Sequence, residues 1–537
     1  MAEAITAPDA GSPPAPAPAS SGARAAPAPL TGSALVLGTL ALSLATFMNV
    51  LDSSIANVSL PAIAGDLGVS PNQGTWVITS FGVANAISVP LTGWLTRRFG
   101  AVRLFVASVW LFVLASWLCG FAHSLEWLVA FRVLQGLVAG PMIPLSQTLL
   151  LSSYPPAKAG MAMAMWGMTT LVAPVVGPLL GGWITDNFAW PWIFYINVPV
   201  GIGAALLAWA LYRHRETPTH NVPIDSLGLA LLVVGVGSLQ LMLDKGKELD
   251  WFASDQIVVL ALAAAVALVL LVIWELTDDH PVVDLRLFAR RNFLVGSLSI
   301  SVAYGLFFGN VVLLPLWLQQ FMGYNATQAG MAMAPVGLLA IVLTPLVGRK
   351  VSVWDPRRMV TGAFIVFALV LWLRSQFTVQ ADFGTILVPT LLQGAALAFF
   401  FIPLNMLTLS GLTPDRIPAA AGLSNFLRIT AGAMGTSVAT TLWESRAAMH
   451  HAHLAEQLHA GNATFQQALA GLTGSGLSQQ QALAQITRLI DQQAYTRAAD
   501  DIFLASAWIF LGLIGLVWFT RRPAVRGGVA ADAGGAH

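Results

Sequence analysis

Asp52 lies in a run of predominantly apolar residues, 34–57, long enough to cross a bilayer, and the next basic residue along the chain is Arg97. Holding a charge at the centre of a bilayer costs at least about 2.5 kcal/mol, so an ionisable side chain inside a span marks a functional site by default. Desolvation disfavours the charged form of a carboxyl, and a carboxyl that gains and loses a proton within the membrane is the chemistry of coupled transport. Arg132, in another apolar segment, stays ionised at any physiological pH and can act as the counter-charge for Asp52. Plainer readings stand beside these: Asp52 hydrogen-bonded to Ser53 or Ser54 at a helix end, and Arg132 snorkelling to the interface. Arg428, also intramembrane, stays open between a place on a transport pathway and a contact to a lipid headgroup or carbonyl.

Other chemistries lack a residue set. There is no His-Glu-x-x-His, no Gly-x-Ser-x-Gly turn and no phosphate loop, so neither metal hydrolysis nor ATP use is expected, and the chain does not read as an enzyme. The lone cysteine, Cys119, excludes an intramolecular disulfide and reads as a small buried hydrophobe. His450, His451, His453 and His459 lack a carboxylate or cysteine at ligand spacing, so no metal is expected. The Met161, Met163, Met165, Met168 cluster reads as core filling.

The elements that position Asp52 and Arg132 follow from composition. With 56% hydrophobic and 9% charged residues, against about a quarter charged in soluble domains, the chain reads as an all-α, polytopic membrane protein. Segments of about twenty apolar residues predict fourteen transmembrane helices near 34–57, 75–95, 103–121, 125–150, 160–184, 191–212, 225–243, 256–275, 293–318, 328–348, 359–376, 384–410, 419–443 and 502–520. Arg97, Arg98, Arg103, Arg213, Arg215, Arg290, Arg291, Arg349, Lys350, Arg357, Arg358, Arg521 and Arg522 fall on one side, whereas the opposite short loops hold only Lys245, Lys247 and, at a helix end, Arg374. The positive-inside rule therefore places both termini in the cytoplasm.

A weak internal repeat divides the chain. Pro90-Leu-Thr-Gly93 followed by Arg103 matches Pro345-Leu-Val-Gly348 followed by Arg358 at an offset of 255, and Gln135-Gly136 matches Gln393-Gly394 at 258. Repeated six-helix halves are a transporter pattern with the binding site near the midplane. The expected organisation is a disordered cytoplasmic tail (1–32), an N-terminal half (33–215), two additional helices (216–285), a C-terminal half (286–522) and a short tail (523–537). The C-terminal half includes a hydrophilic outer loop, 444–501, with short amphipathic helices.

Leu51-Asp52-Ser-Ser-Ile-Ala-Asn57-Val-Ser-Leu-Pro61, Arg132-Val-Leu-Gln135-Gly136 and Ala173-Pro174-Val-Val-Gly177-Pro178-Leu-Leu-Gly181-Gly182 resemble motifs of the fourteen-span drug:proton antiporters of the major facilitator superfamily. Gln73-Gly-Thr-Trp-Val-Ile-Thr-Ser-Phe and Asp244-Lys-Gly-Lys-Glu-Leu-Asp-Trp-Phe resemble its EmrB-type subfamily, from about residue 34 onward. The resemblance implies proton-driven export of hydrophobic drugs across a Gram-negative inner membrane, with a periplasmic adaptor (membrane fusion) protein and an outer-membrane channel as partners. Membrane lipids are expected contacts, nucleic acid is not, and no cofactor is needed beyond the proton gradient. A proton-coupled carrier of a narrow substrate class on the same fold is the alternative. The resemblance also implies a proton-transfer role for Arg132 and a hinge at Pro174, Gly177, Pro178, Gly181 and Gly182, whose minimal reading is close helix packing.

A drug pocket needs aromatic walls and a few polar handles. Trp76, Phe81, Asn85, Gln147, Phe308, Asn310, Trp317 and Asn425 have that chemistry within spans, with about half expected to face a cavity. One departure stands out: the superfamily's loop motif after the second helix carries an acid where Gly93-Trp-Leu-Thr-Arg97 places an arginine, so an acid latch is not expected there.

Overall fold

The computed structural model describes residues 28–221, 223–278, 281–351, 353–456 and 462–522. The expected tail 523–537, most of the tail 1–32, and His459 fall outside them. Long helices dominate: α1 Gly32–Asp66, α2 Trp76–Phe99, α3 Ala101–Gly120, α4 Leu125–Ser153, α5 Ala159–Asn187, α6 Trp192–Tyr212 and α7 Ser226–Lys245, then α8 Asp255–Thr277, α9 Arg291–Phe321, α10 Gln328–Lys350, α11 Pro356–Arg374, α12 Phe383–Leu409, α13 Ile417–Ala455 and α14 Gln479–Trp518. Among the described residues there is no β-strand. Twelve of these helices are long and apolar enough to cross a membrane; α5 and α13 are not among the twelve, so the expected fourteen spans are not established on that ground.

Helix pairing displays the repeat anticipated from sequence. The contacts α1·α5, α2·α4 and α3·α6 of the first half recur as α9·α13, α10·α12 and α11·α14 of the second. Helices α7 and α8 pack on one another, and α7 also lies against α2 and α13, beside the seam between the halves. Only 22% of the apolar window of α8 is buried; Val259, Leu262, Val266, Val269 and Ile273 point outward, a hydrophobic belt that suits lipid rather than water.

The two copies of the Pro-Leu-x-Gly motif close one end of the seam. A Cβ at Gly93 of α2 would come within 2.6 Å of the Ala419 Cβ of α13, and one at Gly348 of α10 within 2.6 Å of the Ala164 Cβ of α5. Residues 164 and 419 are themselves separated by the repeat offset of 255, so each half presents a glycine to the other's alanine. Arg97, Arg98, Arg349 and Lys350 follow these glycines, and this is the basic end of the bundle. Gly348→Leu is expected to wedge it open, because overpacked interfaces must separate or strain. The check is the labelling rate of a cysteine introduced at Met161, beside Gly348, in a Cys119→Ser background; a several-fold rise is expected, and an unchanged rate contradicts the gate.

The segment expected as an outer loop with short amphipathic helices, 444–501, is mostly helix. α13 continues to Ala455, a short helix covers Ala463–Gly474, and α14 begins at Gln479 rather than near 502. The Ala- and Gln-rich sequence favours helix even where it is polar. A capping box of Ser478 and Gln481 starts α14. Trp443, Ala447, Ala482, Ala494 and Ala498 are buried, and the Trp443 Nε1 donates to the Tyr495 carbonyl at 2.9 Å. His450 and Asp501, and His451 and Asp491, meet at 2.8 Å, so two of the four histidines serve as pins between the paired helices.

Candidate functional site

α1 and α4 bring Asp52 and Arg132 together. Asn49, one turn before Asp52, donates to the Ala139 carbonyl at 3.0 Å and holds α1 against α4. Arg132 and Gln135 lie three residues apart on one face of α4. The Arg132 Nη1 reaches the Asp52 Oδ2 at 2.5 Å, and neither side chain is exposed. Gln135 Nε2 and Asn197 Nδ2 donate to the Asp52 Oδ1 at 3.0 and 2.8 Å, so the carboxylate accepts three hydrogen bonds. Arg132 also donates from Nε to the Val77 carbonyl at 2.9 Å. Its guanidinium carbon stands 4.2 Å from the Phe81 ring and 5.5 Å from that of Phe194, a placement that attracts a cation. Gln135 Nε2 bonds the Ser116 Oγ at 2.8 Å, bringing α3 into the network. Snorkelling and the helix-end reading are both excluded by this geometry: the pair is sealed within the N-terminal half.

The second half carries the counterpart without its acid. An offset of 258 relates Asp52 to Asn310, Arg132 to Thr390, Ser116 to Arg374 and Gln135 to Gln393. Asn310 donates to the Ser506 Oγ of α14 at 3.1 Å, much as Asp52 is tied to α6. Arg374, expected at an outer helix end, is instead fully buried and donates to the Gln393 Oε1 at 2.7 Å. Of the two copies, the first alone has a titratable carboxyl at this position.

Between the halves is a cavity of about 700 Å³, whose walls include Met168, Pro174, Gly182, Trp183, Asp186, Tyr304, Phe307, Phe308 and Gln319. Trp183, Asp186 and Gln319 belong to the last turns of α5 and α9, so the cavity lies toward the end opposite the glycine closure. Of the eight residues expected for a drug pocket, only Phe308 lines it. Gln147 and Asn425 meet at the seam instead, where Asn425 Nδ2 donates to the Gln147 Oε1 at 3.2 Å and Gln147 Nε2 to the Asn405 Oδ1 at 3.4 Å. Phe81 packs under Arg132. Asn85 is buried, its backbone close to Gly136 of α4. Asn310 faces Ser506. Trp317 is buried, donates to the Thr496 Oγ1 and stacks on Phe377. Trp76 is 41% exposed, with the Lys245 ammonium 5.4 Å from its ring. In a membrane protein core, cavity and lipid faces are all apolar, so an aromatic residue in a span carries no mark of which it serves.

The small-residue run on α5 has a packing role on display. A Cβ at Gly177 would collide with the Ser54 hydroxyl of α1, and one at Gly181 would come within 2.8 Å of the Ile55 carbonyl. Pro174 and Gly182 line the cavity; Pro178 lies outside the residues whose side chains are described. Missed altogether in sequence were Asn197, an asparagine with no pattern to single it out, and Tyr304, which separates Arg428 from the cavity.

Residues 42–436 match the Major Facilitator Superfamily. The chain is 54% identical over 510 residues to the multidrug export protein EmrB of Escherichia coli (strain K12), covering 95% of this chain and 99% of that one. It is 54% identical to the EmrB of Haemophilus influenzae, covering 92% and 97%, and 50% identical to the fatty acid resistance protein FarB of Neisseria gonorrhoeae, covering 93% and 99%. Among solved structures it resembles the human organic anion transporter MFSD10, with TM-score 0.57 and 14% identity over 91% of this chain and 100% of that one. It also resembles the proton:xylose symporter XylE, with TM-score 0.53 and 15% identity over 89% and 96%; both likenesses concern the fold. The acid and arginine sealed in one half, the repeated helix pairing and the cavity at the seam thus sit in a multi-pass membrane transporter that is no enzyme, and the chain belongs to the major facilitator superfamily, within its EmrB-like multidrug branch.

Proposed function

We propose that the protein exports hydrophobic drugs across a bacterial inner membrane by alternating access, with Asp52 as the proton carrier and Arg132 as its alternating counter-charge. The observation that carries this reading is the ion pair at 2.5 Å with no exposure of either partner. It is held by Gln135 and Asn197 but separated from the cavity, none of whose lining residues belongs to it. A proton reaches Asp52 only when the helices of the N-terminal half shift, which ties protonation to conformation. The cavity between the halves is the drug site, and Gly177 and Gly181 form the surface on which α5 moves against α1, with Pro174 and Gly182 facing the cavity. All fourteen long helices cross the membrane, including α5 and α13, with both termini cytoplasmic. The glycine-closed basic end is then cytoplasmic, and the conformation faces outward. The helical projection of α13 and α14 stands on the outer side, where a periplasmic adaptor and an outer-membrane channel would complete a tripartite route, as the EmrB-type resemblance implies.

Everted vesicles containing the protein are expected to accumulate structurally unrelated apolar dyes when their interior is acidified, and to release them on addition of a protonophore. Accumulation of a single chemical series would favour the narrow carrier, and none at all would overturn the exporter reading.

A further inference from the structure

A cavity of about 800 Å³ is lined by the second half alone, along the groove between α11 and α12. Its walls, Gly362, Ala363, Val366, Ala395, Ala396 and Phe399, are apolar. They run inward from the start of α11, which rises about 15 Å between Pro356 and Val366, half of a hydrocarbon core of about 30 Å. The groove thus has the depth of one leaflet. Its mouth is charged: Trp354, Asp355, Arg358 and Arg522 stand there, at the basic end of the bundle. Asp355 is already paired with Arg357 at 3.1 Å and with Arg522 at 3.8 Å, and Arg358 has no acidic partner among the described residues. Three guanidiniums against one carboxylate leave positive charge unmet. The first half supplies its own anion at the equivalent place. Arg103, 255 residues before Arg358, is met by Glu216, whose carboxylate accepts from the Val102 and Arg103 amides at 2.9 Å each and lies 3.9 Å from the Arg103 Nε.

We propose that this groove binds an anionic phospholipid from the leaflet on the basic side, its phosphate on Arg358 and Arg522 and an acyl chain against Gly362, Val366 and Phe399. Basic pockets between transmembrane helices suit anionic headgroups, and the guanidinium fork matches phosphate oxygens. Trp354, 52% exposed, has the amphipathic ring that belongs at headgroup level. Val353 and Trp354 follow the Gly348 closure by five and six residues, so an occupied groove braces the segment behind that closure. The occupant is a lipid of the bilayer rather than cargo, which makes the site independent of the exporter reading.

The test titrates purified full-length protein in detergent, without gradient or drug, with phosphatidylglycerol and with phosphatidylcholine of identical chains while thermal unfolding is followed. Phosphatidylglycerol is expected to stabilise the parent at about one-tenth of the concentration that phosphatidylcholine requires, the effect of a charge-assisted contact. The double variant Arg358→Gln, Arg522→Gln should bring the two lipids within about twofold of one another. Gly362→Phe fills the groove from a position where a Cβ meets nothing within 4 Å; it should weaken both lipids about tenfold and leave the lipid-free midpoint in place. Equal action of the two lipids on the parent, a preference that survives in the double variant, or unchanged binding in Gly362→Phe overturns the proposal. Stabilisation by glycerol 3-phosphate alone at the same concentration also overturns it, because the mouth would then take free phosphate and the groove no lipid. Lipid-free unfolding reports whether each variant folds; if the double variant does not, Arg358→Gln alone decides, with a reduced preference expected.

Discussion

Asp52→Asn is expected to reduce gradient-driven drug accumulation in everted vesicles to the passive level while leaving the folded protein in the membrane. One charge moved through 100 mV is worth about 2.3 kcal/mol, which corresponds to an accumulation ratio of about 50-fold; without a titratable group none of it is available. Asparagine is nearly isosteric, and its carbonyl can still accept from Gln135 and Asn197, whose donors reach the Asp52 Oδ1 at 3.0 and 2.8 Å. What it cannot do is bind or release a proton. Exchange of labelled for unlabelled drug across the membrane needs no proton and is expected to persist in the variant. Drug-dependent proton release from purified protein gives the direct check. Release by Asp52→Asn equal to that of the parent would remove Asp52 from the coupling mechanism, although the fold and the family would be unaffected.

Asp52 and Arg132 stood out in sequence because charge inside an apolar span is expensive, and the structure brings the two together as a buried ion pair. The repeated Pro-Leu-x-Gly was legible as a pattern, but its use was not, since the alanines that meet Gly93 and Gly348 come from α13 and α5 of the opposite half. Asn197 and Gln135 complete the carboxylate's shell through ordinary amides, and only the crossing of α1, α4 and α6 gives them their role. Which aromatic and amide residues line the cavity was least legible, since of the eight named only Phe308 does. In soluble proteins an apolar face identifies a core, but here Trp317 in the core, Trp76 near a helix end and Phe308 in the cavity occupy equally apolar sequence. Arg374 shows a further limit: its position at the end of α11 pointed to an outer boundary, whereas the packing of α11 on α12 places it against Gln393. In the segment 444–501 the short amphipathic helices were legible but their extent was not: α13 runs on to Ala455 and α14 starts at Gln479, where the Ala and Gln content and the Ser478 cap favour helix.

Arg132→Gln is expected to destabilise the protein far more than substitution of Gln135 or Asn197, by about 3–5 kcal/mol, because it leaves a buried carboxylate without its charge partner. Glutamine can keep contact with Asp52 only as a neutral donor, and it forfeits the Val77 carbonyl and the Phe81 and Phe194 rings that the guanidinium occupies. The double variant Asp52→Asn, Arg132→Gln removes both charges and should recover most of that loss, since an uncharged buried pair has no unmet desolvation cost. Thermal unfolding in detergent of the parent, both single variants and the double variant closes the cycle, and groups in direct contact are expected to couple by about 0.5–3 kcal/mol. Coupling near zero would mean that Asp52 does not rely on Arg132 in this conformation. A large coupling would carry a mechanistic consequence: when a proton neutralises Asp52, the attraction that holds α1 to α4 is lost, and Arg132 is left as an uncompensated cation inside the first half. The sealed geometry makes that loss a force on helix packing rather than a local event, since the carboxylate is tied at once to α4 through Arg132 and Gln135 and to α6 through Asn197.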